Sequence, residues 1–203
     1  RHSYSGCKPA IGDILLGTAA LAAEINNIEK TGHVREKLAE IISVTELGYA
    51  AGYTASALAK PELYVPGLGS VPFGPGSMIP HSIYCNVGRC LTGEAVFREQ
   101  EILCDIAGGI PATFPQERDW VNPETRDLLE KYVMRNPGVS AANAANFWRF
   151  LGDILCSSTG GVANIGNYHG GGSPVMEQIA ITTQYDIEER KKLVRRLVGW
   201  RED

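Results

Sequence analysis

Reactive side chains are concentrated at the start of the sequence, where Tyr4, Cys7 and Lys8 lie within five residues and His2 precedes them. A thiolate is a nucleophile or metal ligand, a phenol can transfer a proton, and an ammonium group can hold an anion or polarise a carbonyl. This combination is typical of an active site. The spacing alone equally allows Cys7 to be a small buried residue at a helix start and Lys8 to be a solvated charge.

Two glycine-rich stretches near the end of the chain could bind an anionic ligand. They occupy residues 159–161 and 169–174, and the second directly precedes a predicted helix. Glycine lets the backbone approach a ligand closely, and free N–H groups ahead of a helix bind phosphate, so a nucleotide or coenzyme pyrophosphate would fit. Neither a dinucleotide-binding fingerprint nor a P-loop is present. A glycine-rich connection that allows tight helix packing remains the alternative.

The five cysteines do not predict a disulfide framework, because their number is odd. Cys85 and Cys90 are separated by four residues, which matches no strong zinc or iron–sulfur pattern. Cys104 and Cys156 lie in apolar helical runs. A metal site built from these four cysteines is therefore not predicted.

Composition and charge are those of a soluble globular protein, with 203 residues, 44% hydrophobic residues and a formal net charge of -4. The one basic cluster, at 190–196, is interpreted as a solvated helix end, so nucleic-acid binding is not expected. No apolar run reaches the roughly 18 residues that span a bilayer, which predicts a cytoplasmic protein without membrane association. The chain opens on Arg1 without an initiator Met and is interpreted as a cut within a longer protein.

The elements that must position these residues are predicted to be helices. Apolar residues recur at helical spacing and no convincing alternating strand competes, which predicts an all-α bundle of five or six helices. Residues 61–90 are rich in Pro and Gly and are predicted to form a long irregular arm that covers another subunit or further domains. The predicted helical segments are 11–30, 34–59, 91–106, 123–134, 140–157 and 175–198.

Four motifs together resemble the C-terminal region of the 4-hydroxybutyryl-CoA dehydratase/vinylacetyl-CoA isomerase family. They lie at residues 1–8, 12–17, 114–124 and 169–174, and the resemblance covers essentially the whole chain. This family belongs to the larger 4-hydroxyphenylacetate 3-hydroxylase group, whose subunits resemble acyl-CoA dehydrogenases. The resemblance implies that residues 1–203 are the C-terminal helical domain of a flavoprotein whose N-terminal helical and middle β domains lie outside this chain.

The resemblance also implies roles for the residues at the start of the chain. Tyr4 and Lys8 match the family's catalytic tyrosine and lysine, and Cys7 matches a cysteine ligand of a 4Fe-4S cluster. The histidine ligand would precede Arg1, and His2 does not take its place. The other cysteine ligands of the family also lie outside the chain, so the isolated chain is not expected to hold the cluster.

The flavin is FAD in this family, and the resemblance implies which residues contact it. Ser158, Thr159, Gly160, Gly161 and Val162 match the flavin-contacting turn of the hydroxylases. The second glycine-rich stretch adds Gly170, Gly171 and Gly172 as expected cofactor contacts. Gly166 stands where the dehydratases carry a catalytic glutamate, so the resemblance leaves the exact substrate and reaction open.

The leading expectation is therefore the C-terminal domain of an FAD- and 4Fe-4S-dependent lyase and isomerase that acts on an acyl-CoA, inactive as an isolated fragment. Its expected partners are the N-terminal part of the same polypeptide and further copies in a homotetramer. One alternative is a domain of a flavin-dependent 4-hydroxyphenylacetate 3-monooxygenase-like enzyme, and another is an oligomerisation module only. Cys7 favours the dehydratase, because a thiolate there has no evident role in a hydroxylase.

Overall fold

Two long antiparallel helices begin the fold. A computed structural model of the chain describes residues 2–65 and 67–200, and it places α1 at Tyr4–Ile25 and α2 at Gly32–Ala57. Small residues allow the two helices to approach closely: a Cβ on Gly12 would lie 2.3 Å from Thr45 Oγ1, and one on Gly52 would lie 2.7 Å from Ser5 Cβ. These glycines therefore fix the spacing of α1 and α2.

A short hairpin follows α2 and leads into the next pair of helices. Strands β1 (Glu62–Val65) and β2 (Gly69–Pro72) pair antiparallel, with Leu63 opposite Val71. Helices α3 (Ser82–Glu94) and α4 (Val96–Ala107) are separated only by residue 95. Helix α3 packs against α2, and α4 packs against α1.

The remaining described residues form seven further helices. Several start at the capping residues that the sequence shows, such as Asn122, whose side chain accepts a hydrogen bond from the Glu124 N–H ahead of a helix that begins at Pro123. The helices are α5 (Ile110–Thr113), α6 (Glu117–Val121), α7 (Pro123–Val133), α8 (Ala141–Cys156), α9 (Ser158–His169), α10 (Pro174–Gln184) and α11 (Ile187–Leu197).

The hydrophobic core lies where α1, α2, α4 and α8 meet. Trp148 is its largest side chain and is almost completely buried. The α1 helix contributes mainly alanines, so it packs closely against the larger side chains of its neighbours. The core members are Leu15, Ala19, Ala22, Ala23, Ile25, Val34, Ile41, Ile102, Leu103, Ile106, Ala107, Ala144, Phe147, Trp148 and Leu151.

The all-α fold class is confirmed, because helices make up 73% of the structure and the small hairpin is the exception. The prediction of an irregular arm over 61–90 is corrected: this segment contains the hairpin and most of α3. The predicted domain of 1–203 and the arm include residues 1, 66 and 201–203, which lie outside the described residues.

The number and limits of the helices also differ from the prediction. The predicted helix 91–106 is two helices, the glycine-rich segment from 159 onward is largely helical in α9, and the predicted final helix 175–198 is broken between α10 and α11. Within the described residues, no helix combines the length and apolar character that crossing a bilayer requires.

Candidate functional site

Tyr4 and Lys8 lie one turn apart in the first two turns of α1, and both are buried. Their exposed fractions are 7% and 2%. Residues four apart share one face of a helix, and this face of α1 is covered by other helices of the bundle. Lys8 is therefore not a solvated charge, which was one interpretation of the sequence.

Glu99 on α4 pairs with Lys8 in the interior. The Lys8 Nζ donates to both carboxylate oxygens, at 2.7 Å to Oε1 and 2.6 Å to Oε2, and both side chains are 2% exposed. Burial raises the pKa of Glu99, and the ammonium of Lys8 partly opposes that rise. The ammonium is held in place by a carboxylate that the sequence did not point to.

The Tyr4 phenol reaches the C-terminal end of α9. Its hydroxyl donates to the backbone oxygen of Asn167, and the guanidinium carbon of Arg89 lies 4.6 Å from the centre of its ring. Burial raises the pKa of Tyr4 to about 12, although Arg89 lowers it. The phenol is therefore a neutral hydrogen-bond donor at neutral pH.

Cys7 lies between Tyr4 and Lys8 in sequence but is exposed, so it is not a buried apolar residue. His2 does not face Cys7, because its Nε2 lies 3.0 Å from Ser56 Oγ and its Nδ1 lies 3.7 Å from Cys85 Sγ. Across residues 2–65 and 67–200, no group of three or more His, Cys, Asp or Glu side chains could hold a metal ion. These residues therefore do not complete a 4Fe-4S site.

The predicted flavin contacts at 158–162 form the first turn of α9. The Ser157 side chain accepts a hydrogen bond from the Gly160 N–H at 3.1 Å and caps this helix. A Cβ on Gly160 would lie 2.1 Å from the backbone oxygen of Ile154, so this glycine allows the close turn from α8 into α9. The surface of the turn is open, because Val162 is 75% exposed and a Cβ on Gly161 would meet nothing within 4 Å.

Of the glycines at 170–172, Gly170 is exposed, whereas Gly171 and Gly172 are half-buried. A Cβ on Gly171 would lie 2.4 Å from Arg89 Nε, and Gly172 has a φ of +122°, which favours glycine. A Cβ on Gly170 would lie 2.4 Å from the backbone oxygen of Gly166. The close approach of Gly171 to Arg89 fits the tight-packing interpretation of the segment, and cofactor contact by Gly170, Gly171 and Gly172 stays a prediction.

An apolar groove runs between α1, α8 and α9 beside the Tyr4 hydroxyl. Its volume is about 480 Å³, and Asn167, which accepts the phenol hydrogen bond, lies on its wall. Gly166 lies on the same wall, and a Cβ there would meet nothing within 4 Å. Apolar side chains of the groove are Ile11, Ile14, Leu15, Phe150, Ile154 and Ala163. The groove could take an apolar group, and Asn167 on its wall connects it to Tyr4.

Three buried charged residues of this site were missed by sequence reasoning: Arg89, Glu99 and Glu177. Lys8 and Glu99 are 91 residues apart in sequence, and charged residues in amphipathic helices are normally solvated. No local signal distinguishes these three from surface charges. They become visible only once α1, α3, α4 and α10 are packed together.

The chain matches one family model and is similar in sequence to parts of two known enzymes. The family model for the C-terminal region of 4-hydroxyphenylacetate 3-hydroxylase (HpaB) matches residues 1–199. The chain is 30% identical to a 4-hydroxybutyryl-CoA dehydratase/vinylacetyl-CoA-Δ-isomerase of Clostridium aminobutyricum, over 98% of the chain and 40% of that protein. It is 28% identical to the oxygenase component of a Thermus thermophilus 4-hydroxyphenylacetate 3-monooxygenase, over 96% of the chain and 38% of that protein.

Solved structures agree with these matches. A 4-hydroxybutyryl-CoA dehydratase from N. maritimus superposes with a TM-score of 0.82 at 27% identity, over 97% of this chain and 37% of that one. The HpaB oxygenase component in complex with FAD and 4-hydroxyphenylacetate gives a TM-score of 0.83 at 27% identity, over 98% of this chain and 39% of that one. The chain spans about two fifths of the length of these relatives. The resemblance inferred from the motifs is confirmed.

Proposed function

The chain belongs to the 4-hydroxyphenylacetate 3-hydroxylase family, and we propose that it is the C-terminal helical domain of a larger enzyme that dehydrates a 4-hydroxyacyl-CoA and isomerises acyl-CoA products. The observation that carries this proposal is the burial of Tyr4 and Lys8 one turn apart, with the Cys7 thiol exposed between them. The 30% identity to a 4-hydroxybutyryl-CoA dehydratase supports it.

In this proposal Tyr4 and Lys8 act on the substrate from the buried face of the first two turns of α1. The neutral Tyr4 phenol has one O–H, which donates to the Asn167 backbone oxygen, and it would exchange this acceptor for a substrate oxygen to transfer its proton. Lys8 has three N–H donors, and Glu99 accepts two contacts from its Nζ. The third donor suits a substrate carbonyl or hydroxyl, while Glu99 keeps the ammonium oriented.

The cofactors of the proposal are FAD and a 4Fe-4S cluster. The exposed first turn of α9 fits a flavin contact, with Ser158, Thr159, Gly161 and Val162 on its open surface. A flavin makes removal of an unactivated β-hydrogen feasible through one-electron chemistry. Cys7 would be the one cluster ligand from this chain, and the other ligands would come from outside the described residues.

The proposal includes the setting of the domain. Its partners are an acyl-CoA, the N-terminal part of the same polypeptide and further copies in a homotetramer, in the cytoplasm, without nucleic acid or membrane. We expect the isolated chain to be inactive, because the relatives that it matches are about two and a half times as long. If the chain were an oligomerisation module only, it would still assemble with further copies but would have no catalytic role.

A second candidate function is that of a flavin-dependent 4-hydroxyphenylacetate 3-monooxygenase-like enzyme. The observation that favours it is Gly166 on the groove wall, which stands where the dehydratases carry a catalytic glutamate. A hydroxylase would use the apolar groove for an aromatic ring. It would not need the exposed thiol of Cys7.

Activity of the complete gene product separates the two candidates. We expect anaerobic loss of water from 4-hydroxybutyryl-CoA, and no hydroxylation of 4-hydroxyphenylacetate with reduced flavin and oxygen. Tyr4→Phe should lose the roughly 10²- to 10⁴-fold that a positioned acid–base group supplies. Tyr49→Phe is the matched control, because Tyr49 is exposed and its hydroxyl donates to Asp13. Hydroxylation without dehydration would instead support the monooxygenase.

A further inference from the structure

An arginine and a glutamate that no sequence motif includes are completely buried next to Tyr4. Arg89 on α3 and Glu177 on α10 are both 0% exposed, and Arg89 Nε lies 3.3 Å from Glu177 Oε1. The guanidinium carbon also lies 4.6 Å from the centre of the Tyr4 ring. A charged pair is costly to bury, so its position against a catalytic candidate invites a functional explanation.

The Arg89 guanidinium holds the backbone at the C-terminal end of α9 and just after it. Its Nη2 donates to the backbone oxygen of Tyr168 and, at 3.0 Å, to that of Gly172. Two glycines make the slot: a Cβ on Gly93 would lie 2.0 Å from Arg89 Nη1, and one on Gly171 would lie 2.4 Å from Nε. The forked geometry of a guanidinium suits several simultaneous acceptors, and lysine cannot reproduce it.

The same short stretch of backbone receives the Tyr4 hydroxyl. Tyr4 donates to the backbone oxygen of Asn167, the residue before Tyr168. Arg89 therefore acts on the phenol in two ways. Its guanidinium lies over the face of the Tyr4 ring, and it also holds the end of α9, whose backbone accepts the Tyr4 hydrogen bond. Displacing Arg89 would move both the ring and the acceptor of its proton.

Charged groups from four helices surround the phenol. Lys8 lies one turn away on α1, with Arg89 on α3, Glu99 on α4 and Glu177 on α10. Burial is the main reason that the pKa of Tyr4 is raised to about 12. Arg89 lowers this pKa, whereas Glu99 and Glu177 raise it. The two members of the buried pair thus act on the phenol in opposite directions.

We propose that Arg89 is a positioning residue for Tyr4, which orients the phenol and stabilises its deprotonated form, and that Glu177 balances this charge. The catalytic consequence rests on the proposed function, which gives Tyr4 a proton-transfer role. Arg89 itself contacts backbone, Glu177 and the Tyr4 ring. It acts on the reaction only through Tyr4.

The test is a titration of the Tyr4 phenol in this chain. Fluorotyrosine lowers the ionisation range of all tyrosines, and the Tyr4→Phe spectrum identifies the Tyr4 signal by fluorine NMR. We expect Arg89→Met to raise the Tyr4 midpoint by about one pH unit and Glu177→Gln to lower it, since a neighbouring charge shifts a pKa by about that much. If the two residues were merely structural, both variants would loosen the site and lower the midpoint together, which would overturn the proposal.

A second comparison keeps the test decisive if Arg89→Met does not fold. The double variant Arg89→Met/Glu177→Met removes both buried charges at once, which proteins often tolerate. Its Tyr4 midpoint should lie above that of Glu177→Gln, because only the latter retains the guanidinium. Equal midpoints would overturn the proposal.

Kinetics of the complete gene product separate this inference from the proposed function. Arg89→Lys keeps the charge but loses the fork, so kcat should fall at least about tenfold, as part of the 10²- to 10⁴-fold effect of acid–base catalysis, with little change in KM. Unchanged kcat would overturn the positioning role. Full activity of Tyr4→Phe, by contrast, would contradict the proposed function, whatever the titrations show.

Discussion

Removing the cation of the Lys8–Glu99 pair should strongly destabilise the chain. Both side chains are 2% exposed, and the ammonium contacts both carboxylate oxygens. Lys8→Met has a similar length but leaves the Glu99 carboxylate buried without its partner. Breaking a buried pair in this way costs about 3–5 kcal/mol. That is a large part of the roughly 5–15 kcal/mol by which domains are stable.

The loss should depend on pH in a defined direction. Burial raises the pKa of Glu99 above its ordinary 4.5, and Lys8 opposes the rise. Without Lys8 the folded pKa rises further, so the protonated carboxyl is favoured in the folded state. A carboxyl with a raised folded pKa contributes stability below its unfolded pKa and loses it as pH rises through the folded one. The difference between wild type and Lys8→Met should therefore be largest at neutral pH and shrink toward pH 4.5.

Urea unfolding followed by circular dichroism measures this effect. Lys8→Met/Glu99→Met should recover most of the lost stability, because an apolar pair can replace a buried ion pair at little cost. Lys37→Met is the control: its pair with Asp105 is 23% and 57% exposed and is worth at most about 1 kcal/mol. If Lys8→Met lowered the free energy of unfolding no more than the control does, the stabilising role of Lys8 would be refuted. A double variant as unstable as Lys8→Met would refute it as well.

Close contacts and exposure elsewhere give three further expected outcomes. Gly171→Ala should cost about 1–3 kcal/mol in urea unfolding, because its Cβ would lie 2.4 Å from a buried guanidinium, whereas Gly161→Ala, with open space, should be neutral or stabilising. Cys7 should react with a thiol reagent before unfolding, and Cys85 only after it, because burial raises the pKa of the Cys85 thiol. The exposed Leu68 of the hairpin is expected to cover another subunit. Replacing residues 62–72 by a short glycine linker should therefore lower the mass of the assembly measured by light scattering. An unchanged mass would show that the hairpin is only a local structure.

Local patterns predicted that the long helices exist, and they predicted some of the helix ends. Apolar spacing located α2 to within two residues at each end, and Asn122 followed by Pro123 predicted the start of α7. The predicted limits 11–30 were wrong for α1, which covers Tyr4–Ile25. The sequence does contain a signal for the break before α11, because Asp186 is a typical capping residue. In the structure its side chain accepts a hydrogen bond from the Glu189 N–H. It was missed because apolar residues continue on both sides of the break.

Features set by tertiary packing could not be read from the sequence. The glycines of α9 predict a loop by their low helix propensity, yet Ser157 caps the helix and Gly160 lets it pack against the end of α8. Similarly, Tyr4 and Lys8 are predicted site residues, but the residues that contact them, Glu99 and Arg89, come from helices far along the chain. Only the packed bundle brings these charges together.

The iron content of the complete gene product tests the central claim most directly. Cys7 is the one residue of this chain that the proposal assigns to a 4Fe-4S cluster, and Cys104 is an equally reduced and exposed control. After anaerobic reconstitution, the wild type and Cys104→Ala should contain about four iron atoms per subunit, as such a cluster requires. Cys7→Ala should lose most of this iron together with dehydration activity, while FAD remains bound. Full iron content in Cys7→Ala would contradict the account and favour the monooxygenase.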